Sequence, residues 1–291
     1  MTDMNTQNSP DPSDWQGLPE QESPINKPEM PSQTPPNGIP EQPTSAPAEQ
    51  QTVFITPQTV SPILSYLIMG LTILFFIGQQ LSSYLFDADL ILVFFAKVNP
   101  AIVSGELWRL VTPVLVHGGI IHIGLNMYAL YILGRDVESL FGHGRFVLLY
   151  LLSAFGGNVL SFAFSEAISV GASTAIFGLI GAQAVFIGKN RKIFGNRARQ
   201  MLFRIGMILL LNFAISVVPG SSIDMWGHLG GLLAGAVFSI LAAPKLEIAR
   251  KDGRLILADK TAKTDIFLAF LMVLLAFGVI LFFAIRKAKG L

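Results

Sequence analysis

The chain has 291 residues, of which 52% are hydrophobic and only 13% charged, with a mean hydropathy of +0.56 and a formal net charge of +1. A soluble domain carries about a quarter charged residues, so an ordinary water-exposed globule is excluded, as is nucleic-acid binding by bulk charge. With 0 cysteines, disulfide scaffolds, thiolate metal sites and cysteine nucleophiles are excluded too.

The N-terminal segment differs from everything that follows. Residues 1–61 hold eight Asp or Glu and one basic residue, Lys27, and 13 of the 17 prolines fall within the first 62 positions. Such a stretch buries too little apolar surface to offset the entropy of ordering it, so 1–59 reads as a disordered, acidic, proline-rich tail. Its start lacks the basic n-region and apolar core of a secretory signal.

From Pro62 the chain is a series of apolar runs, and a membrane-spanning helix needs about 20 such residues. Seven spans are expected: Pro62–Phe86, Leu110–Ile132, Val147–Phe164, Ala172–Ile187, Met201–Val218, Trp226–Leu241 and Ile266–Ile285. The runs are continuous rather than alternating, which indicates helices and not barrel strands. The fold class is therefore an all-α polytopic membrane helix bundle. Its parts are a transmembrane core at 60–243, a basic linker at 244–265 and a further C-terminal helix at 266–291. The run Leu90–Ala96 is too short to cross and is expected in the interface. Gly227, Gly231 and Gly235 repeat at the spacing that lets helices approach closely.

Basic residues set the expected orientation. With the tail cytoplasmic, the inner connections hold Arg135, Arg145, the Lys189–Arg204 cluster and the Lys245–Lys263 cluster, fourteen Lys or Arg in all. The outer connections between spans hold only Lys97 and Arg109. The terminal Arg286, Lys287 and Lys289 would fall outside, against this bias.

Polar groups inside spans are costly and point to function. His117, His122 and Asn126 lie in the second span, Ser173 opens the fourth and His228 opens the sixth. All three helices run inward under this topology, so Ser173, His228, His122 and Asn126 meet near the outer face. The four-residue spacing puts His122 and Asn126 on one helix face. A serine hydroxyl needs a base to take its proton, and His228 is the available base. Attack on a peptide carbonyl creates an oxyanion, for which the His122 imidazole, the Asn126 amide and the Ser173 backbone N–H are candidate donors. Taken singly, Ser173 reads as a helix cap, His228 as a buried hydrogen-bonded ring and Asn126 as helix glue; their convergence raises all three. Asp224 and His143 are expected to be solvated loop residues, and His117 to serve structure.

These motifs, in this order, resemble the rhomboid family of intramembrane serine proteases. The resemblance covers roughly Trp108 to Leu241. It rests on Trp108-Arg109, His117 with His122-x-x-x-Asn126, Gly134-x-x-x-Glu138, Gly171-x-Ser173, and Gly227-His228 followed by Gly231-x-x-x-Gly235. It implies a six-helix core to which the seventh span is an addition, a Ser173–His228 dyad, and an oxyanion site using His122 and Asn126. It also implies that Phe177 packs on the His228 ring and that the Leu90–Ala96 run belongs to a membrane-embedded loop. Trp108-Arg109 and Glu138 take structural roles. The chain departs from the family at Thr174, where many members have Gly.

The implied activity is serine endopeptidase cleavage of single-span transmembrane proteins near the outer face of the cell membrane. The lipid bilayer is a partner, nucleic acid is not, and no cofactor or metal is required. A catalytically dead client-binding relative is disfavoured because all four polar groups are kept. A proton-coupled transporter is disfavoured because the spans hold essentially no acidic groups. A zinc peptidase is disfavoured because the His-Glu-x-x-His pattern is missing.

Overall fold

A computed structural model describes residues 59–251 and 254–291, so the expected tail lies, but for its last residue, outside the described residues. Among the described residues the chain is built almost wholly of helices. They run α1 (Ile63–Phe86), α2 (Leu90–Phe95), α3 (Asn99–Val103), α4 (Ile120–Ala129), α5 (Arg135–Phe141), α6 (His143–Phe164), α7 (Ser173–Lys189), α8 (Arg191–Phe194), α9 (Asn196–Ser216), α10 (Met225–Ala242) and α11 (Lys263–Ala288). A single antiparallel hairpin, β1 (Leu246–Lys251) and β2 (Arg254–Asp259), separates α10 from α11. Helices α1, α6, α9, α10 and α11 are each long and apolar enough to cross a membrane.

The burial pattern is that of a membrane bundle. On α1 the side chains of Ser65, Thr72 and Gln79 are fully buried while Leu67, Leu74 and Ile77 are more than half exposed. A water-soluble helix would show the reverse. In lipid, apolar side chains face outward and polar ones must find partners inside. The chain is a polytopic all-α bundle, as its sequence leads one to expect.

Helix α10 is the centre of the bundle, packed against α6 and α7. Glycine makes this possible. A Cβ at Gly231 would collide with the Thr174 backbone on α7, and one at Gly235 with the Gly178 backbone. A Cβ at Gly230 would lie 2.9 Å from the Gly157 Cα on α6. The glycine repeat read from the sequence is thus the seam along which α10 touches both neighbours backbone to backbone. Helix α11 covers α6 and α10, presenting Ala269, Val273 and Phe277 at four-residue spacing as its buried stripe.

Two segments differ from expectation. The second span does not begin at Leu110. Pro113 and the Gly118-Gly119 pair interrupt it, and residues 107–115 form two short 3₁₀ turns before α4 begins at Ile120. The helix then continues through a π turn at Leu130–Gly134 into α5. The basic linker contains the hairpin, held to the bundle by side chains. Arg145 pairs with Asp259 at 2.6 Å, and Asn190 accepts from the Leu246 N–H and donates to the Pro244 carbonyl. Helix α11 therefore starts near the first turn of α6. It ends where Ala284, Lys287 and Ala288 face Phe162, Ala163 and Glu166 at the far end of α6, so it runs the length of that helix.

Candidate active site

Ser173 is the first residue of α7 and His228 lies in the first turn of α10. The glycine seam aligns the two helix starts. Nε2 of His228 and Oγ of Ser173 are 2.8 Å apart, a hydrogen bond. The imidazole is clamped from the other side by Phe177, one turn into α7, with ring centroids 4.1 Å apart and an interplanar angle of 14°. Thr174 does not crowd the Ser173 side chain. It is buried, and its methyl and Cβ fill the space left by Gly157 of α6 and Gly227 of α10. Asp224 proves not to be a free loop residue: its Oδ1 accepts the Gly227 N–H at 2.8 Å and so caps α10. Among the described residues Nδ1 of His228 has no acidic partner.

His122 and Asn126 approach from α4. Gly171, two residues before Ser173, has φ +114, a conformation L side chains rarely adopt. A Cβ there would lie 2.7 Å from His122 Nε2 and 3.7 Å from Asn126 Nδ2, so both side chains point at the backbone just ahead of the serine. The Gly118 N–H donates to His122 Nδ1 at 3.4 Å. In a neutral ring the proton is therefore on Nε2, which makes that atom a donor facing the site. One Asn126 amide hydrogen is used by the His122 carbonyl at 3.0 Å, leaving the other free. The structure thus gathers all four polar residues singled out in the sequence at one end of the bundle.

The supporting shell is made of loops pinned by side chains. Gln79 of α1 donates to the His117 carbonyl and accepts the His117 N–H, and Nε2 of His117 accepts the Ala172 N–H. Arg109 binds the carbonyls of Val93 and Ala96, and Trp108 stacks on Phe94. Lys97 is fully buried, its ammonium donating to the carbonyls of Ser165 and Ala167 in the loop leading to Ser173. Burial pushes its pKa down to about 8, against the pull of Asp224 and Glu166. Sequence reading missed Lys97 and Gln79, because nothing local marks a residue whose partners are distant carbonyls. At the other end, Glu138 accepts the Leu64 and Ser65 N–H groups and so caps α1. His143 meets the same carboxylate at 2.6 Å, so it too is partnered rather than merely solvated.

Fold and site together define a polytopic membrane protein that presents a hydrogen-bonded serine–histidine pair at one end of a helix bundle. Comparisons with known proteins make the class specific. The Rhomboid domain model matches residues 104–245. The chain is 38% identical over 201 residues to the rhomboid protease GluP of Bacillus subtilis, covering 69% of this chain and 38% of that one. It is 37% identical over 155 residues to the rhomboid-like protease 1 of Toxoplasma gondii, covering 53% and 52%, and 40% identical over 139 residues to the RHOMBOID-like protein 1 of Arabidopsis thaliana, covering 47% and 35%. The chain belongs to the rhomboid family. It spans between about a third and a half of the length of these relatives.

Proposed function

We propose that this protein is an intramembrane serine endopeptidase with Ser173 as nucleophile and His228 as its base. The observation that carries the reading is the 2.8 Å hydrogen bond between them in a chain of this family. Two relatives bear the name protease, which supports the same activity here.

As the Ser173 oxygen attacks a peptide carbonyl, its proton passes to His228 Nε2. The carbonyl oxygen becomes an oxyanion within reach of the His122 Nε2–H, the free Asn126 amide hydrogen and the Ser173 N–H. That last group opens α7 and has no intrahelical partner. Collapse of the intermediate breaks the C–N bond, and His228 returns its proton to the leaving amine. Water then repeats the sequence on the acyl-enzyme, with His228 again as base, releasing the acid and restoring Ser173. Phe177 keeps the imidazole in one orientation through both halves, a task given to a carboxylate in triads.

The substrates are single-span transmembrane proteins cut near the outer face of the cell membrane, with the N-terminal tail in the cytoplasm. Fourteen basic residues on one set of connections support this orientation. Cleavage of tagged single-span substrates by the full chain in liposomes tests the activity. Ser173→Ala is expected to abolish it, His228→Ala to match that loss, and the double variant to lose no more, because the pair acts as a unit. Undiminished cleavage by Ser173→Ala, or additive losses, overturns the dyad.

A further inference from the structure

The loop from Ser165 to Gly171 is the last stretch of chain before Ser173, and it is shaped around one buried cation. Ser169 pairs with Lys97 through two backbone hydrogen bonds, of 3.0 and 3.2 Å. The Lys97 ammonium donates to the Ser165 carbonyl at 2.8 Å and to the Ala167 carbonyl at 2.9 Å. Two carbonyls of one loop thus turn toward the same nitrogen. Further on, the Gly171 N–H donates to the Pro113 carbonyl, and Gly171 takes the positive φ that brings the backbone against His122 and Asn126.

Bracing the loop does not by itself call for a lysine. The charged groups that face the ammonium are Asp224, at the start of α10, and Glu166, within the loop. Among the described residues neither is in ion-pair contact with it. Burial therefore dominates and lowers its pKa from 10.5 to about 8. Folding disfavours the proton: the loss of stability is full below about 8 and fades as pH rises toward 10.5. A methionine would fill the same space without a buried charge. The Ser165 carbonyl would keep its bond from Asn99 Nδ2, and the backbone bridge at Ser169 does not depend on the side chain.

We propose that Lys97 is a positioning residue. Its ammonium, held by the Ser165 and Ala167 carbonyls, sets the shape of the 165–171 loop and so the placing of the Gly171–Ser173 backbone against His122 and Asn126. The inference rests on the catalytic reading above, in which that backbone receives the developing oxyanion. An ammonium fixes the loop more firmly than an amine, because hydrogen bonds from a charged donor are about twice as strong. Loss of the proton leaves two weaker N–H groups for the same two carbonyls, with none to spare. Stability and turnover are thereby opposed at one side chain: the proton that the fold disfavours is the one that tightens the loop.

The full chain and its Lys97→Met variant, purified in detergent, are compared for cleavage of a tagged single-span substrate and for thermal melting, with Ser173→Ala as the blank. Both are followed from neutral pH to well above the pKa of about 8. At neutral pH, Lys97→Met should lower kcat by about 10- to 100-fold, the scale of a small misplacement, with KM little changed. Its melting should equal or exceed the parent's. As pH rises through about 8, parent turnover should fall several-fold while its melting gains on that of Lys97→Met. Turnover by the variant should stay level. A residue that only braces the fold would move melting and turnover together. Undiminished turnover in Lys97→Met, a marked fall in its melting or a failure to fold, or a parent profile with no alkaline decline each overturns the proposal. A parent that cleaves no faster than Ser173→Ala instead overturns the catalytic reading. Deuterium exchange at the Ser169 and Gly171 amides then decides the role of Lys97 in the loop: faster exchange in Lys97→Met upholds it, and equal exchange overturns it.

Discussion

Helices α6, α7 and α10 and the helices around them are held by different physics. The inner three meet through glycine, with backbone close against backbone and only small side chains such as Thr174, Ser153 and Ala234 between them. Around them, α1, α9 and α11 touch the bundle along narrow stripes, and most of each faces outward. Ser173 and His228 belong to the inner set, whereas His122 and Asn126 ride on α4, whose Ile120, Ile121 and Leu125 are exposed. Ser173 and His228 are thus fixed by packing, while His122 and Asn126 are held by a few hydrogen bonds. The part of the site that must hold a 2.8 Å contact is built where nothing can shift.

That contrast is sharpened most by removing the donors. His122→Ala and Asn126→Ala are each expected to lower turnover by about 10²–10³-fold, the usual loss for one oxyanion donor, with KM little changed. Melting of both variants in detergent should stay near that of the parent, since one membrane hydrogen bond averages about 0.6 kcal/mol. A large fall in melting with little kinetic loss would make α4 part of the scaffold and erase the distinction between the two halves.

The next test compares a methyl group added to the seam with one side chain removed from the periphery. Gly235→Ala forces the Gly178 backbone away and should cost about 1–3 kcal/mol, as overpacking does, with activity lost alongside. Leu210→Ala, on the exposed face of α9, should change stability by less than about 0.5 kcal/mol. Equal effects in thermal melting would show that the seam is no tighter than its surroundings.

The smallest effect belongs to the hairpin. Burial opposes the charge of Asp259, but hydrogen bonds from Thr261 and the pairing with Arg145 outweigh it and hold the carboxyl below its ordinary 3.8. Its contribution to stability is therefore present above that value and lost as pH falls through the depressed one. Asp259→Asn should flatten the acid side of the melting curve below about pH 4 and leave neutral-pH cleavage intact. An unchanged acid limb would remove the carboxyl from the account of how α11 is tethered.

Much of this was legible in advance because it depends on patterns along the chain. Apolar runs marked the helices, the Gly227–Gly231–Gly235 spacing marked the seam, and polar residues at matched depth marked the cluster around Ser173. What escaped was contact between distant residues. Asp224 and His143 read as solvated because a loop residue's partner is not written beside it, although Asp224 three residues before Gly227 is an N-cap spacing. The start of the second span was misplaced because apolar content outweighed Pro113 and Gly118-Gly119, the breakers that end it. The hairpin was hidden inside a basic linker, yet Asp252-Gly253 between Leu246, Ile248, Leu255 and Leu257 carries the hairpin signature.

The pinning of His117 has a consequence that can be followed by isotope exchange. The Ala172 N–H precedes α7, where an amide ordinarily has no helical partner and trades its hydrogen freely with deuterium. Here it is donated to the ring of His117, a residue whose backbone α1 holds through Gln79. Its exchange rate is thus a clock read one residue from Ser173 but set on the first helix. Any event that peels α1 from the His117 loop, at a distance from Ser173, would register there first.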